Sequence, residues 1–82
     1  MNEEEFLTSI RKILANCLDN EGADYSNLAM DTDIFEEYHI TSIGALYLAL
    51  ELESAFSISL LNKDTDKIKT PRDIEKLIKS KQ

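Results

Sequence analysis

Thr41-Ser42-Ile43-Gly44-Ala45-Leu46-Tyr47-Leu48-Ala49-Leu50-Glu51-Leu52-Glu53-Ser54-Ala55-Phe56 contains no proline and a single glycine, and most of its residues are good helix formers. The run is long enough for about four helical turns. Thr41 is a favourable N-cap type, which places Ser42 at the first helical position. Backbone N–H groups there lack partners inside the helix, and the helix dipole favours negative charge. A hydroxyl at that point is well placed to carry a phosphate ester. Apolar residues fall at Ile43, Leu46, Tyr47, Leu50 and Phe56, with Leu48 and Leu52 on an adjacent stripe. So wide an apolar arc suits a helix packed against two or three others.

Working toward the N-terminus, residues 19–41 carry too many polar residues and turn formers for a second long helix. A connection of this length has its own anchors or a function. Leu28, Met30, Ile34 and Phe35 are the candidate anchors, and Asp31-Thr32-Asp33 is placed to cap a short turn around Ile34 to Glu37. Before it, Glu3-Glu4-Glu5 sets negative charge at a helix start. Phe6, Leu7, Ile10, Ile13, Leu14, Cys17 and Leu18 then form a one-sided stripe, predicting a helix over 3–18. Asp19-Asn20-Glu21-Gly22 reads as its stop, with Gly22 available for a left-handed turn.

Toward the C-terminus, Ser57-Ile58-Ser59-Leu60-Leu61 alternates like a short strand. No second alternating segment exists to pair with it. It therefore reads as an extended connector that plugs Ile58 and Leu60 or Leu61 into the core. A short helix is expected over about 63–68, capped near Asn62. Thr70-Pro71-Arg72-Asp73 is a stronger start signal, with an N-cap threonine, proline at the first position and an acid at the third. Ile74, Leu77 and Ile78 follow at helical spacing, so the last helix is expected over about 71–80. The fold class is all-α. A small four-helix bundle is expected, with three longer helices, one short third helix and a long loop after the first, all in one domain of 82 residues.

The stretch Asp31-Thr32-Asp33-Ile34-Phe35-Glu36-Glu37-Tyr38-His39-Ile40-Thr41-Ser42-Ile43, followed by Leu46, Leu50, Leu52, Glu53 and Phe56, resembles the acyl carrier protein family. The resemblance runs without gaps from about Asp31 to the C-terminus, and more loosely through the first helix. In that family an acidic loop leads to an Asp-Ser-Leu triplet that opens the second helix. Here Thr41 stands in place of the usual aspartate and Ile43 in place of the usual leucine. The resemblance implies that Ser42 receives 4'-phosphopantetheine from coenzyme A and that the arm holds an acyl group as a thioester. The implied partners are a phosphopantetheinyl transferase and acyl- or aminoacyl-loading and acyl-transferring enzymes with basic docking faces. The role implied is delivery, not catalysis, in a fatty acid, specialised lipid, polyketide or related pathway. Ser42-Ile43-Gly44 together with Thr70-Pro71 also looks like D-alanyl and other aminoacyl carriers. The rival from another class is an unmodified carrier-like interaction module.

In the family's fatty-acid members the second helix usually bears several acids. Gly44, Tyr47 and Ser54 stand at positions often acidic there, leaving Glu51 and Glu53, which points to a specialised carrier with a dedicated partner. An apolar seam between the second and third helices is the candidate shield for an acyl chain, lined by Ile43, Leu46, Leu50, Ile58 and Ile68. Core packing accounts for the same residues equally well.

Composition narrows the remaining classes. Residues 1–62 hold two basic residues against twelve acidic, a net of −10, while residues 63–82 hold seven basic against four acidic, a net of +3. The acidic majority argues against nucleic acid as a partner, and the basic tail reads as a solvated helix face. Glu51 and Glu53 interrupt the longest apolar run, so no membrane span is expected. The acidic N-terminus is unlike a secretory signal, and a cytoplasmic monomer is the expectation. Cys17 is the single cysteine, read as a buried small hydrophobe, and one cysteine with one histidine is too few for a zinc cluster. His39 lies three residues before Ser42, but no glycine-flanked elbow is present and no third group orients the imidazole, so a hydrolase is not expected. His39 reads as a polar loop residue near the attachment point, and Tyr47 as a partly buried core edge.

Overall fold

The computed structural model describes residues 2–18 and 23–81. Five helices follow in order, α1 Glu3–Cys17, α2 Ile34–Glu37, α3 Ser42–Phe56, α4 Asn62–Thr65 and α5 Pro71–Lys81. Counting the one-turn α2 as part of the long connection, this is an all-α bundle of three longer helices and one short one.

Each start has a local chemical cause. The Asn2 side chain accepts from the Glu5 N–H at 2.8 Å, and its amide donates back to the Glu5 carboxylate at 2.9 Å. Asp33 Oδ1 accepts from the N–H groups of Phe35 and Glu36, so within Asp31-Thr32-Asp33 it is Asp33 that caps α2. Asp31 pairs instead with Arg72 of α5 at 2.9 Å. At α5 the bonds are reciprocal, because Thr70 Oγ1 accepts from the Asp73 N–H and Asp73 Oδ2 accepts from the N–H groups of Lys69 and Thr70. Helix α4 is shorter and earlier than the expected 63–68. Leu61 precedes it, not Asn62, and Asp64 Oδ2 accepts from the Leu61 N–H at 2.9 Å to fix the turn.

Phe6, Leu7, Ile10, Ile13 and Leu14 of α1 pack with Leu48 and Leu52 of α3 and with Ile74 and Ile78 of α5 in one core. Of the expected loop anchors, Leu28, Met30 and Ile34 are buried and Phe35 is half-buried. Tyr38 is buried as well, stacked edge-on against Tyr25 at 4.8 Å. Ile58 enters the core and Leu60 packs partly against it, while Leu61 stays exposed. The Asp19–Gly22 stop lies outside the described residues.

The largest departure concerns α3. The stripe Ile43, Leu46, Tyr47 and Leu50 is exposed, and the buried side is Gly44, Leu48, Ala49 and Leu52. Tyr47 is therefore not a core edge. Gly44 is not a surface position either, since a Cβ there would meet Ile40 Cγ2 at 3.1 Å and Leu18 Cδ2 at 3.4 Å. The missing side chain lets α1 and its end lie close to the start of α3.

Candidate functional site

The site is built on the first turn of α3. Thr41 has extended backbone and its Oγ1 accepts from the Gly44 N–H at 3.1 Å, so threonine does the capping here. Ser42 follows as the first helical residue and is exposed. Among the described residues no hydrogen bond engages its Oγ, and none of them accepts from the N–H groups of Ser42 and Ile43. The first turn contains no acidic residue. These features leave a free hydroxyl at the positive end of a four-turn helix, where a phosphodiester is favoured.

Two anchors hold the loop that delivers it. The Arg72 N–H donates to the Met30 carbonyl at 3.0 Å and the Ile34 N–H to the Lys69 carbonyl at 2.9 Å, fixing the loop to the start of α5. Arg11 Nε donates to the Tyr25 carbonyl and its Nη2 to the Leu28 carbonyl, fixing it to α1.

Ser42 stands on the edge of an open groove of about 540 Å³ between α3, α2 and α4. Its apolar walls include Phe35, Leu46, Leu50, Leu60, Leu61 and Ile68. Of the expected lining, Leu46, Leu50 and Ile68 are there. Ile58 is not, because it lies in the core, and Ile43 faces a second groove of about 350 Å³ on the α1 side. That second groove holds Cys17, Tyr38, His39 and Tyr47 but not Ser42. No hydrogen bond joins His39 to Ser42 among the described residues, so the two are not assembled as nucleophile and base. His39 is exposed with φ 52, and the Ile40 N–H reaches back to the Phe35 carbonyl at 3.2 Å. Its place is that of a left-handed stop for α2.

Cys17, expected as a buried small hydrophobe, is half-buried. Burial, with the charge of Glu51 adding to it, pushes its thiol up to about 11, and it donates to the Tyr47 carbonyl at 3.6 Å. It is therefore a neutral packing group at neutral pH.

No helix of the described residues is long and apolar enough to cross a membrane. No protein-family model matches the chain. Among curated proteins, it is 30% identical over 82 residues to an acyl carrier protein of Lactobacillus acidophilus, covering 100% of this chain and 99% of that relative. It is 31% identical over 70 residues to an acyl carrier protein of Rubrobacter xylanophilus, covering 85% and 83% of the two chains. A third relative, an acyl carrier protein of Thermosynechococcus vestitus, is 25% identical over 81 residues, 99% of this chain and 96% of its own.

Proposed function

The chain belongs to the acyl carrier protein family, and from that membership we propose that Ser42 carries a 4'-phosphopantetheine arm through which the protein delivers acyl intermediates to partner enzymes. The observation that carries this reading is an exposed, unengaged serine hydroxyl at the N-terminus of α3, on the edge of an apolar groove. In the loading step Ser42 Oγ attacks the phosphorus next to the pantetheine of coenzyme A. The Oγ–P bond forms as the P–O bond of the pyrophosphate breaks, 3',5'-ADP leaves, and the serine proton goes to solvent or to the transferase base. The bound arm supplies a thiol that holds cargo as a thioester.

What the chain's own residues do is position and shelter. Thr41 fixes the helix start and leaves the N–H groups of Ser42 and Ile43 available to a phosphodiester at that end. Leu46, Leu50, Leu60 and Ile68 offer an acyl chain apolar cover beside the attachment point. The protein makes and breaks no bond in the cargo; the tether provides a high effective concentration for each partner.

Two exposed positions on α3, Tyr47 and Ser54, are uncharged, which favours a carrier with a dedicated partner in a specialised lipid, polyketide or aminoacyl pathway. Intact mass after incubation with coenzyme A, magnesium and a broad-specificity phosphopantetheinyl transferase tests the reading. One added phosphopantetheinyl group, absent in Ser42→Ala, is expected. Wild-type protein that stays bare would leave only the unmodified interaction module.

A further inference from the structure

The short helix α4 forms one lip of the groove that begins at Ser42, through Asn62, Thr65 and Asp66 with Leu61 just before it. Little apolar packing holds that lip. Leu60 and Ile68 pack against the core on either side of it, but between them no apolar residue is buried. The one buried residue from 61 to 67 is a carboxylate, Asp64.

The hydrogen bonds of this segment are equally local. The Asp64 N–H donates to the Leu61 carbonyl, Asp66 to Asn62, Lys67 to Asp64 and Ile68 to Thr65, while the Leu61 N–H returns to the Asp64 carboxylate. The contact that leaves the segment is the ion pair from Asp64 Oδ2 to Lys81 Nζ at 2.8 Å. Among the described residues no other ion pair or hydrogen bond joins 61–68 to the rest of the chain. The Asp64 and Lys81 side chains are 8% and 27% exposed, so the pair is screened less than a surface one. Neither residue is in the groove's walls, so the pair holds α4 from behind.

Lys81 is the last residue of α5, a helix fixed in the core by Ile74 and Ile78. A firmly packed helix thus reaches, through one side chain, a segment with few apolar contacts of its own. Such segments open locally at a lower cost than the whole fold. Removing one partner of a part-buried pair also leaves the other charge uncompensated.

We propose that Lys81 is a positioning residue that clamps α4 and thereby sets how closely the groove covers an apolar cargo beside Ser42. The inference rests on the carrier reading and adds to it the contact that governs shelter of the cargo. With the pair broken, the lip opens more often and solutes reach the thioester of a chain folded into the groove. An acetyl group has too little apolar surface to be held there, so its thioester is exposed with or without the clamp.

Cleavage by neutral hydroxylamine, read by intact mass, measures that shelter, since attack on the carbonyl breaks the C–S bond and frees the thiol of the arm. The protein is loaded from octanoyl- or acetyl-coenzyme A by a broad-specificity phosphopantetheinyl transferase. Wild-type octanoyl thioester is expected to be cleaved several-fold more slowly than acetyl. Lys81→Met, which keeps the apolar stem, is expected to speed octanoyl cleavage about fivefold and leave acetyl cleavage unchanged. Asp64→Asn should do at least as much, and adding Lys81→Met to it should change nothing further, because both remove one contact. Lys81→Arg keeps the charge and is expected to stay within about twofold of wild type. Arg11→Ala, which loosens the loop on the α1 side, controls for a general loss of stability and should leave the ratio of octanoyl to acetyl cleavage alone. Unchanged octanoyl cleavage in Lys81→Met, or an equal rise in Arg11→Ala, would overturn the clamp and leave the carrier reading standing. Equal cleavage of the two wild-type thioesters would overturn it as well, since nothing is then sheltered. A wild-type protein that the transferase cannot load would overturn both readings.

Discussion

His39, three residues before the proposed attachment serine, has a backbone role of its own. Its backbone is left-handed, a conformation that costs an L-residue roughly 1–2 kcal/mol and that glycine adopts freely. His39→Gly is therefore expected to stabilise the fold by about 0.5–1 kcal/mol in urea denaturation, after the added freedom of the unfolded chain is offset. Loading of Ser42 should proceed at the wild-type rate, whereas a general base would be missed by orders of magnitude. Thr41 makes the contrasting case. Thr41→Ala removes the acceptor for the Gly44 N–H and should cost about 1 kcal/mol, while Thr41→Asp should keep the cap and the stability.

At the scale of elements, the loop that carries Ser42 is held by side chains far from it in sequence. Arg11 bonds the carbonyls of both Tyr25 and Leu28 and also pairs with Glu4 at 3.2 Å. Arg11→Ala should destabilise by about 1–3 kcal/mol, since two carbonyls lose their donors, and Arg11→Lys should recover only part because an ammonium lacks the planar fork. Amide exchange in residues 23–30 is the readout that separates a loop anchor from a surface charge. This contact, like the Tyr25–Tyr38 stack, was not legible in the sequence, because neither periodicity nor capping encodes a pairing across 13 residues or more. Helix starts were legible, because a cap is a local bond between neighbours, as at Thr41 and at Thr70 with Asp73. The facing of α3 was left open by the sequence for a physical reason. Two stripes of similar apolarity run along it, and hydrophobic spacing cannot choose between them. The choice is made by size: Gly44, Leu48 and Leu52 fall at i, i+4 and i+8, and the glycine at their head allows Leu18 to approach. A small residue on one of two competing stripes was the available signal. Ser42 was legible for the converse reason, as an N-terminal helix position follows from its cap alone, and the groove beside it was legible only in Leu46, Leu50 and Ile68.

Across the whole molecule the charge is divided, with the acidic majority before residue 63 and a basic segment after it. Ion pairs hold α5, which carries much of this basic segment, at both of its ends. Arg72 at the start of α5 meets Asp31 of the loop, and Lys81 at its end meets the buried Asp64 of α4 at 2.8 Å. The hydrogen bond from Lys81, with that from the Leu61 N–H, holds the Asp64 carboxyl below its ordinary value of 3.8, and Arg72 does the same for Asp31. A carboxyl depressed in the folded state stabilises fully above its unfolded value and loses that contribution as pH falls through the folded one. Both contributions are therefore complete at neutral pH and fade below about pH 4. Asp64→Asn is expected to lower Tm by several degrees at pH 7, because Lys81 then loses its partner and the Leu61 N–H a charged acceptor. The gap between variant and wild type should narrow steadily once the pH drops below about 4, as the wild-type carboxyl itself becomes neutral. Thermal unfolding followed by circular dichroism across that range measures it. A gap that stays constant to the lowest pH would mean that Asp64 acts through its shape and not through its charge.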